Sequence, residues 1–336
     1  MVTSSRQVAI LGAGGWGTAL AVHLARVGHD ARLWGRDAAL VADMQARRAN
    51  AVYLADVTFP ERLRVTADLA DALQGCDLVV AAVPSHGLRD ILQRAAPLVK
   101  RSAIVVSATK GLEQDSLFRG SEIVEQELGS GIKVAVLSGP SFGSELARQL
   151  PTAVSVASHD DAVVEQVQQE FRAAYFRLYG TCDVIGVEIG GALKNVIAIA
   201  AGMTQGLGLG HNALAGLITR GLAEISRLAS ALGGQRETLS GLSGLGDLVL
   251  TCTGRLSRNL HVGVELARGR SLQEVLAGMK MVAEGVRTTE AALALAARHG
   301  VELPIAAQVA ELLAGRKTAR AALEELMLRP QRAEVG

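Results

Sequence analysis

The chain has 336 residues, 49% of them hydrophobic, which is enough to bury a large core and long enough for two domains. Its 34 basic and 33 acidic residues nearly cancel to a net charge of +1, with no Lys/Arg run. That balance argues against a nucleic-acid partner and leaves small molecules or a second copy of the chain, a homodimer, as the expected partners.

Cysteine and histidine usage narrows the class further. Cys76, Cys182 and Cys252 are far apart and lack CxxC spacing, and the seven histidines lack ligand spacing, so neither a disulfide framework nor a metal site is expected. The compartment reads as reducing and cytoplasmic. Glycines and Trp16 interrupt the N-terminal apolar stretch where a signal peptide needs continuity, and no run of about 18 uninterrupted apolar residues is present to span a bilayer.

In chain order, short Val/Ile/Leu runs at residues 8–11, 31–34, 77–83, 103–107 and 134–137 alternate with segments of helical period. Runs apolar on both faces belong in a mostly parallel sheet covered by helices on each side, so the first half reads as a doubly wound α/β (Rossmann) domain. Runs at 153–157 and 176–179 complete that sheet. After Asp183 the strand signals stop and Ala/Leu-rich helical segments follow, broken by glycine clusters. The expected division is a dinucleotide-binding domain at 1–183 and an all-helical substrate domain at 184–336.

The first strand leads directly into Gly12-Ala13-Gly14-Gly15-Trp16-Gly17, a GxGxxG turn opening a helix. Gly12 suits the tight turn, Gly14 the close approach of a pyrophosphate, and Gly17 the packing of helix on strand; the helix start adds free N–H donors. The second strand ends in Trp34-Gly35-Arg36, where an acidic residue would hold a ribose 2′-OH. Arg36 suits a 2′-phosphate and hence NADPH, with NADH possible; the alternative is a solvated Arg36 and a ribose held by Asp37. Pro84-Ser85-His86 follows the strand 77–83 and walls the cleft, with His86 read as a helix-capping or surface residue.

Lys110 and the Gly139-Pro140-Ser141 turn both follow strands at their carboxyl ends, where ligands lie in such sheets; the alternatives are a solvated surface lysine and a plain structural turn. In the helical half, Lys194 and Asn195 interrupt an apolar helix, which is costly for a lysine unless it works there or its stem reaches water. The glycine-rich stretch 241–246 reads as a flexible loop leading to Asp247, which either caps the next helix or pairs with the lysine. Finally, Gly254-Arg255-Leu256-Ser257-Arg258-Asn259 is either a surface turn or an anion receptor.

Long strings of this chain resemble the bacterial-type NAD(P)-dependent glycerol-3-phosphate dehydrogenases, which interconvert dihydroxyacetone phosphate and sn-glycerol 3-phosphate: GAGGWGTAL, VPSH, SATKGL, LSGPSF, EIGGALKNVIAIAAG, LSGLGDLVLTCTGRLSRN and MVAEGVRTT. The resemblance covers nearly the whole chain. It implies a Rossmann domain joined to a helical domain similar to that of 6-phosphogluconate dehydrogenase, and a cytoplasmic, often dimeric enzyme supplying glycerophospholipid synthesis. It further implies that Lys194 carries the proton; that Lys110, Gly139, Ser141, Lys194, Asp247, Ser257, Arg258 and Asn259 contact substrate; and that Gly15, Trp16, Arg36, Lys110, Gly143, Arg258, Val282 and Glu284 touch the cofactor. Gly15 stands where serine or threonine is common, and Gly143 where alanine is common. Two other readings are a 3-hydroxyacid dehydrogenase of the same architecture and a dinucleotide-binding protein without turnover.

Overall fold

The computed structural model describes residues 5–279, 281–331 and 333. The outermost residues of the two expected domains, 1–4 and 334–336, lie outside them. In the N-terminal half the strands are β1 (Gln7–Leu11), β2 (Asp30–Trp34), β3 (Ala49–Asn50), β4 (Leu54–Thr58), β5 (Leu63–Thr66), β6 (Leu78–Ala81), β7 (Ile104–Ser107), β8 (Lys133–Ser138), β9 (Thr152–Ala157) and β10 (Phe176–Thr181). Between them run α1 (Gly15–Arg26), α2 (Ala38–Arg47), α3 (Leu69–Leu73), α4 (Ser85–Ala95), α5 (Gly120–Leu128), α6 (Gly143–Ala147) and α7 (Asp161–Glu170). The C-terminal half is helical: α8 (Val184–Gly206), α9 (Gly210–Ala231), α10 (Arg236–Leu239), α11 (Asp247–Thr253), α12 (Arg258–Ala267), α13 (Leu272–Ala277), α14 (Glu284–Arg298), α15 (Pro304–Leu313) and α16 (Ala319–Met327).

Among the described residues one eight-stranded sheet has the order β10-β9-β8-β7-β6-β1-β2-β5. Its central strands are buried on both faces, as their unbroken apolar runs require. Val8 and Ile10 face a core with α1, α2, α6 and α7, whereas Ala9 and Leu11 face a second core with α3, α4 and α5. The short antiparallel pair β3-β4, and β5 at the sheet edge, had no counterpart in the sequence reading; two to five residues carry too little periodicity to register.

The sheet is parallel from β5 to β8, and then β9 pairs antiparallel to β8. The connection explains the reversal. Its one helix, α6, has five residues and spans about 7.5 Å, whereas a six-residue strand spans about 20 Å. It cannot return the chain to the opposite sheet edge, so β9 runs back.

Helix α8 is the axis of the helical half, surrounded by α9, α11, α12, α14 and α15. By length and composition alone it would cross a membrane, but 94% of its apolar window is buried inside the protein. Apolar character all round is what a fully enclosed core helix needs. Its first turns, through Val184 and Val187, pack on Val136 of β8 and Ala157 of β9. Lys194, ten residues along from the start, thereby lies beside the carboxyl end of β8.

Candidate active site

The GxGxxG turn has the geometry of a phosphate cradle. Gly12 takes φ +116°, and a Cβ there would lie 2.6 Å from the Ala82 carbonyl oxygen, so only glycine fits. A Cβ on Gly17 would overlap the Gly12 carbonyl, whereas the space over Gly14 is open. Sequence reasoning missed Asn50, a buried side chain on β3 that donates to the Ala13 carbonyl (3.0 Å) and to Thr18 Oγ1 (2.9 Å) and so holds the turn from outside. Trp16 Nε1 is buried without a partner among the described residues. An open backbone surface, a helix N-terminus and an unpaired donor together fit a dinucleotide.

Around this turn, Arg36 is exposed just beyond β2. Asp37 is the N-cap of α2, its carboxylate accepting from Ala39 N at 2.9 Å and Leu40 N at 3.2 Å. His86, within the first turn of α4 rather than capping it, has its pKa lowered by partial burial and by the charges of Arg287 and Arg36. Gly143 packs on the start of α1, where a Cβ would lie 2.8 Å from the Gly15 carbonyl oxygen. Val282 is next to Met281, whose sulfur lies 4.0 Å from where a Gly15 side chain would begin. Glu284 accepts from Ser85 Oγ at 2.7 Å, which ties α14 to α4. Burial pushes its carboxyl above the usual range, while the Ser85 hydrogen bonds and the charges of Arg258 and Arg287 pull it back.

The chemistry centres on one carboxylate. Asp247 is fully buried and shares its two oxygens between two lysines: Lys194 Nζ donates to Oδ1 at 2.5 Å and Lys110 Nζ to Oδ2 at 2.8 Å. Lys110 also donates to the Gly139 carbonyl (2.9 Å) and to Ser141 Oγ (3.3 Å), so the loops after β7 and β8 meet the helical domain at this point. Burial of Lys194 lowers its pKa from 10.5 to about 8; Asp247 opposes the shift and Lys110 adds to it.

Of the two readings of Asp247, pairing is the one the structure adopts, since α11 has no side-chain cap. The expected flexible loop before it is instead a π-helical turn, Leu242–Gly246, with Ser243 and Gly244 buried. That is a correction with a steric cause: a Cβ on Gly244 would collide with the Leu239 backbone, so these glycines serve close packing rather than freedom. Thr251 was also missed. One turn after Asp247, it accepts from Lys194 at 2.9 Å and donates to the Asp247 carbonyl at 2.6 Å, and its i+4 spacing was the available signal.

On the far side, Ser257 caps α12 by accepting from Leu260 N at 3.2 Å, and Arg258 opens that helix, exposed and within the field of Glu284. Asn259 donates to Asn195 Oδ1 and accepts from Gly285 N, each at 2.9 Å, locking α8, α12 and α14 together. The structure thus brings Lys110, Gly139, Ser141, Lys194 and Asp247 into one hydrogen-bonded cluster, ties Glu284 to Ser85 and Asn259 to Asn195, and leaves Arg36 exposed without a bond to any of them.

A Rossmann sheet, a phosphate cradle, and a half-buried lysine after β7 sharing a carboxylate with a buried lysine on α8 define a nicotinamide-dependent oxidoreductase. Residues 7–164 match the N-terminal part, and residues 183–324 the C-terminal part, of the family described as NAD-dependent glycerol-3-phosphate dehydrogenase. The glycerol-3-phosphate dehydrogenase (NAD(P)+) of Thioalkalivibrio sulfidiphilus is 53% identical over 80% of this chain and 81% of its own. That of Citrifermentans bemidjiense is 49% identical over 81% of this chain and 82% of its own. The crystal structure of glycerol-3-phosphate dehydrogenase from Coxiella burnetii superimposes with a TM-score of 0.94 at 42% identity, covering 97% of this chain and 99% of that one. The chain belongs to the NAD-dependent glycerol-3-phosphate dehydrogenase family.

Proposed function

We propose that this protein reduces dihydroxyacetone phosphate to sn-glycerol 3-phosphate, reversibly, with NADPH or NADH, and so feeds glycerophospholipid synthesis. The observation that carries the reading is Asp247 holding Lys194 and Lys110 on its two oxygens beside the phosphate cradle. Gly14, Gly15, Trp16 and the start of α1 would hold the dinucleotide's pyrophosphate, with Gly143 behind them. Arg36 would meet a 2′-phosphate, Asp37 being already engaged as a cap. Val282 and Glu284 would contact the cofactor as well. When bound, the reduced nicotinamide supplies the hydride for the substrate C2 carbonyl.

The chain's own residues do the rest. Lys110 and the Gly139–Ser141 turn orient the carbonyl. Hydride addition moves the C=O electron pair onto oxygen, and the Lys194 ammonium donates a proton to that alkoxide. A lysine at about 8 is close to working pH, which suits proton transfer in either direction. Asp247 and Thr251 fix the ammonium, while Arg258 with Asn259 and Ser257 at the start of α12 receives the phosphate. With a cofactor domain at 1–183 and a substrate domain at 184–336, as we propose, this cleft would lie between the two. The free thiols of Cys76, Cys182 and Cys252 support a reducing cytoplasm, and a homodimer is the assembly we infer.

The test is NADPH oxidation followed at 340 nm with dihydroxyacetone phosphate beside a panel of 2- and 3-oxoacids. Turnover confined to the phosphate substrate is the expected result. Preference for an oxoacid would overturn the assignment.

A further inference from the structure

We propose that Glu188 is a positioning residue for this reaction: from α8 it clamps the loop that carries Lys110 and so sets the placement of the two lysines on Asp247. The inference rests on the roles given above to Lys110 and Lys194.

The loop in question runs from the end of β7 to the start of α5, residues 108–119. It belongs to the cofactor domain by chain but docks on the helical one. Its two ends meet, since a Cβ on Gly120 would lie 2.7 Å from Ser107 Oγ. Internal bonds from Glu113 N to the Phe118 carbonyl and from Leu117 N to the Glu113 carbonyl, both 3.0 Å, make it a compact Ω-type loop. Leu112 and Leu117 leave the sheet domain and join the core around α8. Leu117 does so at φ +65°, a conformation an ordinary side chain keeps only when its surroundings impose it.

Glu188 is the polar anchor at the base of this loop. Its Oε1 accepts from Ser121 N at 2.8 Å, and its Oε2 accepts from Ser121 Oγ at 2.6 Å and from Arg119 Nη1 at 2.7 Å. The carboxyl is buried, which pushes it above the usual range, and it meets the N-terminus of α5, where Arg119 and the Ser121 donors pull it back. A buried carboxylate is costly unless fully satisfied, and this one takes three donors, all from the segment that closes the Lys110 loop. Six residues further along α8 is Lys194. One rigid helix therefore holds the proton donor directly and the second lysine through Glu188, and the separation of the two is set by α8 itself.

The groups that face each member are defined. Arg119, Ser121 and Glu122 act on Glu188, and Asp247, Lys110 and Cys252 act on Lys194. If the clamp opens, Lys110 moves away from Asp247 and its repulsion of Lys194 weakens. The ammonium is then favoured, so the alkaline limb of carbonyl reduction moves to higher pH, and the substrate loses a contact.

Full-length Glu188→Ala and Glu188→Gln are compared with wild type by three readouts. In Glu188→Ala we expect the KM for dihydroxyacetone phosphate to rise roughly tenfold or more with NADPH affinity changed less, the alkaline limb to shift upward, and amide hydrogen exchange of residues 108–119 to accelerate. Glu188→Gln keeps an acceptor for Ser121 N, is the safer variant to fold, and should recover much of the KM. Lower thermal stability alone, with KM, pH limb and loop exchange as in wild type in whichever variant folds, would overturn the proposal. Failure of wild type to turn over the substrate would instead defeat the functional reading, and loop exchange, which needs no substrate, would still decide whether Glu188 is the clamp.

Discussion

Replacing Lys194 by methionine isolates the proton step from everything else in the cleft. The side chain is buried, and its nitrogen contacts Asp247 and Thr251. Depression from 10.5 to about 8 corresponds to about 3 kcal/mol of preference for the neutral form in the folded protein. The sign matters. Between pH 8 and 10.5 the unfolded chain binds the proton and the folded one does not, so this group adds stability as pH rises through that window and costs stability below it. Methionine removes that cost while Lys110 still neutralises Asp247, so the variant should fold at pH 7 and bind NADPH as wild type does. What it loses is the acid. Turnover of dihydroxyacetone phosphate should fall by about a hundredfold or more, the range that general acid catalysis supplies. The second signature is the pH profile: reduction by wild type should decline with unit slope above about 8, as the ammonium is lost, and that limb should vanish in Lys194→Met. Stopped-flow and steady-state NADPH oxidation from pH 6 to 10, with dye-monitored melting as the folding control, read both. A folded Lys194→Met enzyme turning over within a few-fold of wild type would refute the assignment and move the proton to Lys110 or a water.

Two further outcomes follow from the ends of the cleft. Arg36→Asp should narrow or reverse a preference for NADPH over NADH, measured as the ratio of kcat/KM values; equal use of both cofactors by wild type would remove the basis for a 2′-phosphate contact. Arg258→Ala should weaken dihydroxyacetone phosphate use by roughly ten- to a hundredfold, the worth of a charge-assisted hydrogen bond to an anion, whereas Arg255→Ala, in the turn before α12, should change it little. Equal kinetic effects of the two substitutions would place the phosphate elsewhere.

Much of this was legible from the chain alone, and for local reasons. Gly12, Gly14 and Gly17 announce a phosphate cradle because the turn, the ligand approach and the helix packing each exclude a Cβ within a few residues of sequence. Strand runs apolar on both faces announce a covered parallel sheet, and a lysine in the apolar helix α8 stands out because burying it costs so much. Nonlocal facts were not available in this way. That Asp247 divides its oxygens between Lys110 and Lys194, 137 and 53 residues away, depends on the docking of two domains. The same holds for Asn50 holding the cradle, 37 residues from Ala13. The packed π turn at 242–246 and the reversal of β9 have local causes, Gly244 against the Leu239 backbone and the shortness of α6, but neither leaves a periodic signal. Where Asp247 and Asn50 are concerned, the deciding interaction joins elements distant in sequence, and which side chains meet there is set by packing, to which periodicity and motif spacing are blind.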